Sequence, residues 1–376
     1  MKARFAIGCA SWTDKTLISS GWYPWGVSSA EQRLRYYASR FHVVEVDSTY
    51  YALPSKRVAA LWSDRTWGDF VFDIKAFRLF TGHLTPFQAI PKDIQPLIPA
   101  QVRNKERLYY KDLPDDIRDE LWTRFKDALS PLHDSRKLGT VLLQFPPTVV
   151  PHEKVYAHLE ECKERLAPYE LAVEFRNAKW FVPDVVAKAT FSFLRTRALS
   201  FVAVDEPQGF ASSVPPVVEP TGPFAIIRFH GRNAETWEKK GLASSPERFD
   251  HYYTSEQMQP WVPIISRLLE SDVLETHALM NTNNGDQGPI NALLLAHLVG
   301  EGLPGTGPRT MFDIWRDHPE FHPQGLHEVS RELEIGTLRR SMDGEYREYN
   351  QEQEAELVAA VRAWKGMSYG DAHGGG

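Results

Sequence analysis

Between residues 224 and 232 the chain reads Phe-Ala-Ile-Ile-Arg-Phe-His-Gly-Arg, an apolar run that ends abruptly in Arg228, His230 and Arg232. No other stretch constrains the fold as much. A near-continuous β-branched run belongs to a strand covered on both faces, as in a parallel sheet. Charge that gathers only at the C-terminal end is how a barrel strand delivers chemistry. Side chains alternate along a strand, so Arg228, His230 and Arg232 are expected on one side, with Gly231 allowing a turn or the close approach of a ligand.

The same plan recurs in Phe5 to Cys9, Val43 to Tyr51, Phe70 to Ala76, Gly139 to Phe145, Leu171 to Arg176, Ser200 to Pro207 and Thr276 to Asn281. Helical spacing fills most of the intervals. Ser28 or Ser29 with Glu31 opens a helix to Phe41, Pro54-Ser55 opens one through Trp62, and Val155, Leu159, Cys162 and Leu166 mark another. Further helices are expected near Asp115 to Leu129, Val182 to Arg197, Ser255 to Leu269 and Ile290 to Val299. Strands alternating with helices up to residue 300 predict an α/β fold, a (β/α)8 TIM-barrel-like domain over residues 1–301. The long interval after Lys75, about 80–135, reads as a lid-like insertion. Residues 302–376 read as a C-terminal extension, helical from Gln351 to Trp364, with a disordered Gly-rich end.

The chain has 42% hydrophobic and 24% charged residues, the balance of a globule with a sizeable core, and no run long enough for a membrane span. Its first apolar run is too short for a secretory signal, so a cytoplasmic location is expected. Cys9 and Cys162 are the two cysteines, one on a strand and one on a helix, and both are expected to be reduced. A net charge of −6 argues against non-specific attraction to a nucleic-acid backbone while leaving a local basic pocket possible.

Taken in order, Ile7-Gly8-Cys9, Tyr23-Pro24, Glu45 through Tyr51, Lys75, Gln144-Phe145-Pro146-Pro147, Glu174-Phe175-Arg176, Arg228 through Arg232 and Asn291-Ala292 resemble the YecE-like family, a domain of unknown function. The resemblance covers residues 4 to 300 and implies a TIM-barrel-like fold, with no settled activity to carry over. This chain has Asp47 where the family more often has Asn, and Met280-Asn281-Thr282 where it often has Phe-Asn-Asn, with Asn283 or Asn284 as stand-ins.

Active sites of such barrels lie at the strand C-termini. For proton transfer the candidates are His230, Glu45, Glu174 and Asp205, since imidazole titrates near neutrality and a crowded carboxyl is pushed upward. For binding they are Lys75, Arg176, Arg228 and Arg232, with Asp47, Asn281, Asn283, Trp12 and Tyr51 around them. Arginine forks and a lysine suit a phosphate or carboxylate. The competing reading is an internal salt-bridge network that fills the barrel mouth, with Glu174 on Arg176 and Glu45 on Lys75.

No Gly-x-x-x-x-Gly-Lys occurs, and the Gly-x-Gly-x-x-Gly of Gly300 to Gly305 follows an expected helix instead of a strand, so no nucleotide cofactor is expected. A divalent metal on Glu45, Asp47, Glu174, Asp205 and His230 stays possible, although none of these residues lies in a His-x-x-x-His or Cys-x-x-Cys spacing. Cys9 is a weak nucleophile candidate in an apolar strand. The sequence points first to a hydrolase, lyase or isomerase acting on an anionic, phosphate-bearing small molecule. A non-catalytic module for a nucleic-acid fragment or phosphometabolite, and a metal-dependent nuclease-like barrel, remain alternatives.

Overall fold

The computed structural model describes residues 3–300 apart from Trp25, Ala211, Ser212, Lys240, Ala243 and Ser244. The expected C-terminal extension and its helix from Gln351 to Trp364 lie outside the described residues.

Eight parallel strands close a barrel in sequential order: β1 (Arg4–Ala10), β2 (Val43–Val46), β3 (Val71–Lys75), β4 (Leu138–Gln144), β5 (Leu171–Glu174), β6 (Ser200–Asp205), β7 (Phe224–Phe229) and β8 (Glu275–Met280), with β8 paired back onto β1. Around it stand α1 (Ala30–Arg40), α2 (Lys56–Asp64), α3 (Asp115–Asp134), α4 (Glu153–Leu166), α5 (Asp184–Thr196), α6 (Val262–Leu269) and α7 (Gln287–Val299). The TIM-like barrel is therefore present. Among the described residues no helix is long and apolar enough to cross a membrane.

Local signals start these elements. Ser29 and Gln32 form a reciprocal cap at α1, with Gln32 N–H donating to Ser29 Oγ at 3.1 Å and Ser29 N–H to Gln32 Oε1 at 3.0 Å. Ser55 caps α2 by accepting from Val58 N–H at 3.2 Å. The outward faces of the strands meet the helices through fully enclosed Phe72, Ile74 and Phe229, each contributing roughly 1.5–3 kcal/mol by leaving water. At Gly8 an added Cβ would lie 1.8 Å from the Val43 carbonyl oxygen, so only glycine lets β1 and β2 close at this level.

Three expectations change. The strand read over Val43 to Tyr51 stops at Val46, and Asp47 leads into a helical turn, Ser48–Tyr51. Thr49 Oγ1 makes the turn by donating to the carbonyls of Val46 at 2.8 Å and Lys75 at 2.6 Å. The helix read over Ser255 to Leu269 divides at Pro260 and Pro263 into Ser255–Met258, a 3-10 turn Gln259–Trp261, and α6. Within the stretch read as a lid, α3 packs against α2 and α4 as a member of the outer helix ring. The connection proper, from Ala76 to Pro114, is pinned by buried Ile90, Ile94, Ile98 and Leu108 and by Phe80 stacked on Trp122 at 3.7 Å.

Strand register sorts the inward residues. Glu45 pairs with Asp73, Gln144 with Glu174, and Leu279 with Arg228, and registered neighbours share a face. The barrel interior consequently holds charge at two depths. In the lower layer Asp73 accepts from Thr140 N–H at 2.8 Å and Thr140 Oγ1 at 3.0 Å, and lies 2.7 Å from His277 Nδ1. His277 Nε2 reaches Glu275 at 3.1 Å. A Cβ at position 139 would sit 2.5 Å from Asp73 Oδ1, so Gly139 makes room for this group.

Candidate functional site

The upper layer is built on Arg228, whose residue is wholly buried. Its Nε and Nη2 form a fork on Glu45 at 2.7 and 2.6 Å, and its Nη1 donates to Glu174 at 2.5 Å and to Gln144 Oε1 at 3.2 Å. A guanidinium presents its donors in one rigid plane, so a single arginine can tie β7 to β2, β4 and β5. Both carboxylates are also fully enclosed. Burial opposes the charge on Glu174, yet Arg228, His230 and Arg176 hold it well below the usual carboxylate range.

Above this lies the mouth. Lys75, at the end of β3, sits 3.0 Å from Asp47 Oδ1 and over the Tyr50 ring at 5.1 Å. Arg176 joins Glu174 at 3.1 Å to Glu206 at 3.0 Å and lies 5.3 Å from the Trp237 ring. His230 Nδ1 lies 2.8 Å from Asn281 Nδ2, and its Nε2 lies 3.3 Å from Glu174 Oε1 and 3.4 Å from Arg228 Nη1. Burial, with Arg176 and Arg228 nearby, lowers the imidazole to about 3, so His230 is neutral here.

The two carboxyls of β2 and its following turn are set apart. Burial and the adjacent Asp47 charge push Glu45 up to about 8 against the pull of Arg228 and Lys75. Burial works on Asp47 in the same sense, but Lys75 and Arg228 outweigh it, and a hydrogen bond with Glu45 adds to their effect, so Asp47 is held below its ordinary value. Neighbouring carboxyls that face one another keep one proton between them. Burial and the Asp47 charge favour that proton on Glu45, the enclosed member of the pair.

Not every expected residue joins this group. Gly231 adopts φ +83°, which breaks the alternation that grouped Arg232 with Arg228 and His230. Arg232 instead forks onto Asp205 at 2.8 and 2.5 Å, over the Tyr253 ring. Asp205 registers with outward-facing Phe229 and also accepts from Tyr253 Oη at 2.9 Å and Trp261 Nε1 at 2.8 Å. This carboxylate therefore fastens β6 to the outer shell, and neither it nor Arg232 reaches the mouth. Arg228, expected to grip an anion, has its donors taken by Glu45, Glu174 and Gln144. Lys75, Arg176 and Arg228 are matched by Glu45, Asp47, Glu174 and Glu206, so the mouth has no surplus positive charge.

Asn281 supports His230, whereas Asn283 accepts Thr16 Oγ1 on its backbone carbonyl at 2.8 Å. Tyr51 is 58% exposed and meets the site only through Tyr50, its edge-on partner at 5.0 Å. Trp12 is buried beside Trp62. Cys9 faces the outer helices, donates its N–H to Tyr37 Oη at 2.6 Å, and burial raises its thiol far above the usual range, so it is no nucleophile. Among the described residues no group of three or more His, Cys, Asp or Glu is disposed to hold a metal ion. Each carboxylate of the network that might ligate one carries Arg or Lys instead.

Glu206 and Trp237 belong to the site without having been singled out, and so do Gln144 and Tyr50, which stand in the stretches that carry the resemblance but were given no place in the site. Gln144 had a signal, since it ends β4 at the inward parity shared with Glu174. Trp237 had none, because it approaches Arg176 from a long connection.

A family model described as a protein of unknown function, DUF72, matches residues 6–312. The UPF0759 protein YunF of Bacillus subtilis (strain 168) is 29% identical over 308 residues, which is 81% of this chain and 98% of that protein. The UPF0759 protein YecE of Escherichia coli (strain K12) is 25% identical over 201 residues, 53% of this chain and 58% of that protein. Two crystal structures share the fold. A DUF72 family protein (EF0366) from Enterococcus faecalis V583 is 25% identical with a TM-score of 0.60, covering 79% of this chain and 98% of that one. A DUF72 family protein (TM1631) from Thermotoga maritima MSB8 is 27% identical with a TM-score of 0.61, covering 79% and 100%. With a family model spanning most of its length and relatives that share its barrel, this chain belongs to the DUF72 family of proteins of unknown function.

Proposed function

We propose that the chain is an enzyme that moves a proton to or from a small substrate at the C-terminal mouth of the barrel, as a lyase or isomerase does. Asp47 is the base that meets the substrate, and Glu45 beneath it is the proton reservoir. Lys75 and Arg176, each already paired with a carboxylate, donate hydrogen bonds to oxygen atoms of the substrate.

One arrangement carries the reading: of two adjacent carboxyls, Glu45 is fully enclosed and pushed upward by burial and the Asp47 charge, while Asp47 reaches water beside Lys75, which with Arg228 holds it below its ordinary value against burial. Environments that separate paired titratable groups assign acid and base roles at neutral pH. Exposure agrees with the division of labour. The Asp47 side chain is 23% exposed while that of Glu45 is fully enclosed, and Lys75 and Arg176 are the mouth cations that reach water, at 13% and 12%. A purely structural network would have no need of a solvent-facing carboxylate tied to a buried protonated one, because buried ion pairs add little stability over well-packed apolar side chains.

The test is hydrogen exchange in deuterated water at pH 7 with a panel of small 2-oxo and 3-oxo carboxylates and their phosphorylated counterparts, followed by proton NMR. The reading expects protein-dependent deuterium incorporation into at least one compound, abolished by Asp47→Asn and slowed by Glu45→Gln. Silence across the panel, or exchange indifferent to both substitutions, contradicts it.

A further inference from the structure

Beside the mouth lies a concavity of about 210 Å³, enclosed by the turn after β1, the first turns of α1, the end of β2 and the last part of α2. Its floor is the buried pair Trp12 and Trp62, with ring centroids 5.8 Å apart at 88°. Its rim carries the hydroxyls of Thr13 and Ser48 and exposed Ala30, and Asp47 is the wall it shares with the mouth. We propose that this pocket binds a neutral, hydroxyl-bearing six-membered ring, a sugar or cyclic polyol.

Size comes first. An apolar cavity of about 150 Å³ takes up benzene, so one somewhat larger admits a single ring with its substituents. Chemistry comes next. Trp12 Nε1 is buried with no acceptor among the described residues, and an orphaned donor of this kind costs stability unless a ligand or water completes it. A hydroxyl group both donates to a carboxylate and accepts from another hydroxyl, which matches Asp47 and the hydroxyls of Thr13 and Ser48 in the lining. The two indoles supply an apolar wall for the ring's C–H face.

Charge excludes the other classes. Arg65 is paired with Glu31 at 3.1 Å and Asp47 with Lys75 at 3.0 Å, so neither a free cation nor an anion finds an unmatched partner. The turn after β1 is also strained. Ser11 holds φ +70°, secured by its N–H on the Glu45 carbonyl at 2.8 Å and by Thr13 N–H on its Oγ at 3.1 Å. Left-handed non-glycine residues persist where the surroundings over-determine them, commonly at ligand clamps. The inference requires no proton chemistry at Glu45 and shares only Asp47 with it.

Saturation-transfer NMR on the full chain, with glucose, ribose and myo-inositol as probes, tests the pocket. Ala30→Trp fills it from the exposed start of α1, and Trp12→Phe keeps a ring while removing the N–H. At least one probe is expected to bind wild type, with binding on the order of tenfold weaker in Ala30→Trp and measurably weaker in Trp12→Phe. Absence of binding by all three probes, binding indifferent to Ala30→Trp, or preference for tetramethylammonium overturns it. Inorganic phosphate run against Arg176→Ala reports on the mouth alone, so failure there is separable from failure of the pocket.

Discussion

Replacing Arg228 by methionine is the sharpest perturbation of the barrel interior. The guanidinium satisfies both oxygens of Glu45, at 2.6 and 2.7 Å, and one of Glu174 at 2.5 Å, with all three side chains shut off from water. Methionine fills similar volume but leaves two enclosed carboxyls facing each other without their cation. Breaking a buried pair on one side costs about 3–5 kcal/mol, and here one substitution strips two partners, so the upper end applies. For a barrel of this size, that corresponds to a fall in Tm on the order of 10 °C. The sign with pH follows. Without Arg228 the folded-state affinity of Glu174 for protons rises, so the deficit is largest at alkaline pH and narrows as pH falls and the carboxyls take up protons. Urea melts at pH 5, 7 and 9 measure this directly. Adding Glu45→Gln and Glu174→Gln to Arg228→Met removes the orphaned charges and is expected to recover at least about 2 kcal/mol. Stability of Arg228→Met within about 1 kcal/mol of wild type at pH 9, or no recovery in the triple variant, refutes the account of this layer.

In the lower layer, burial opposes the charge on His277, but Asp73 and Glu275 raise it to about 9 from an ordinary 6.5. A raised histidine stabilises fully below its unfolded value and loses that contribution as pH climbs through 9, about 3 kcal/mol here, and urea melts of His277→Gln should lack that slope. Asp205→Ala strands buried Tyr253 Oη and Trp261 Nε1 at about 1–3 kcal/mol each by thermal melting, while phosphate binding at the mouth should stay unchanged. Gly8→Ala drives a methyl into the Val43 carbonyl 1.8 Å away, and soluble yield should collapse with a loss above about 4 kcal/mol.

Apolar runs ending in charge carried the barrel plainly, because a two-sided strand leaves little choice of fold. The site was legible where parity held: Glu45, Arg228 and Glu174 meet as their positions on β2, β7 and β5 require. Parity failed where the backbone stopped being a strand. The left-handed φ of Gly231 sent Arg232 outward to Asp205, and Thr49 folded the β-rich string Ser48-Thr49-Tyr50-Tyr51 into a helical turn. The Asp73–His277 pair was hidden for another reason. Its members lie 204 residues apart on strands that do not pair with each other, and only barrel closure faces them across Gly139. Trp237 and Trp261 reach the charged groups from connections whose course no periodicity describes.

The central claim is that the carboxyls of Glu45 and Asp47 keep one proton between them through neutral pH. Infrared difference spectroscopy of protein with 13C-labelled glutamate carboxyls, titrated from pH 5 to 10 beside Glu45→Gln, measures it. The account expects a protonated glutamate C=O band that survives at pH 7, disappears with a midpoint near 8, and is missing from the variant. A spectrum in which every glutamate is ionised by pH 6 contradicts it.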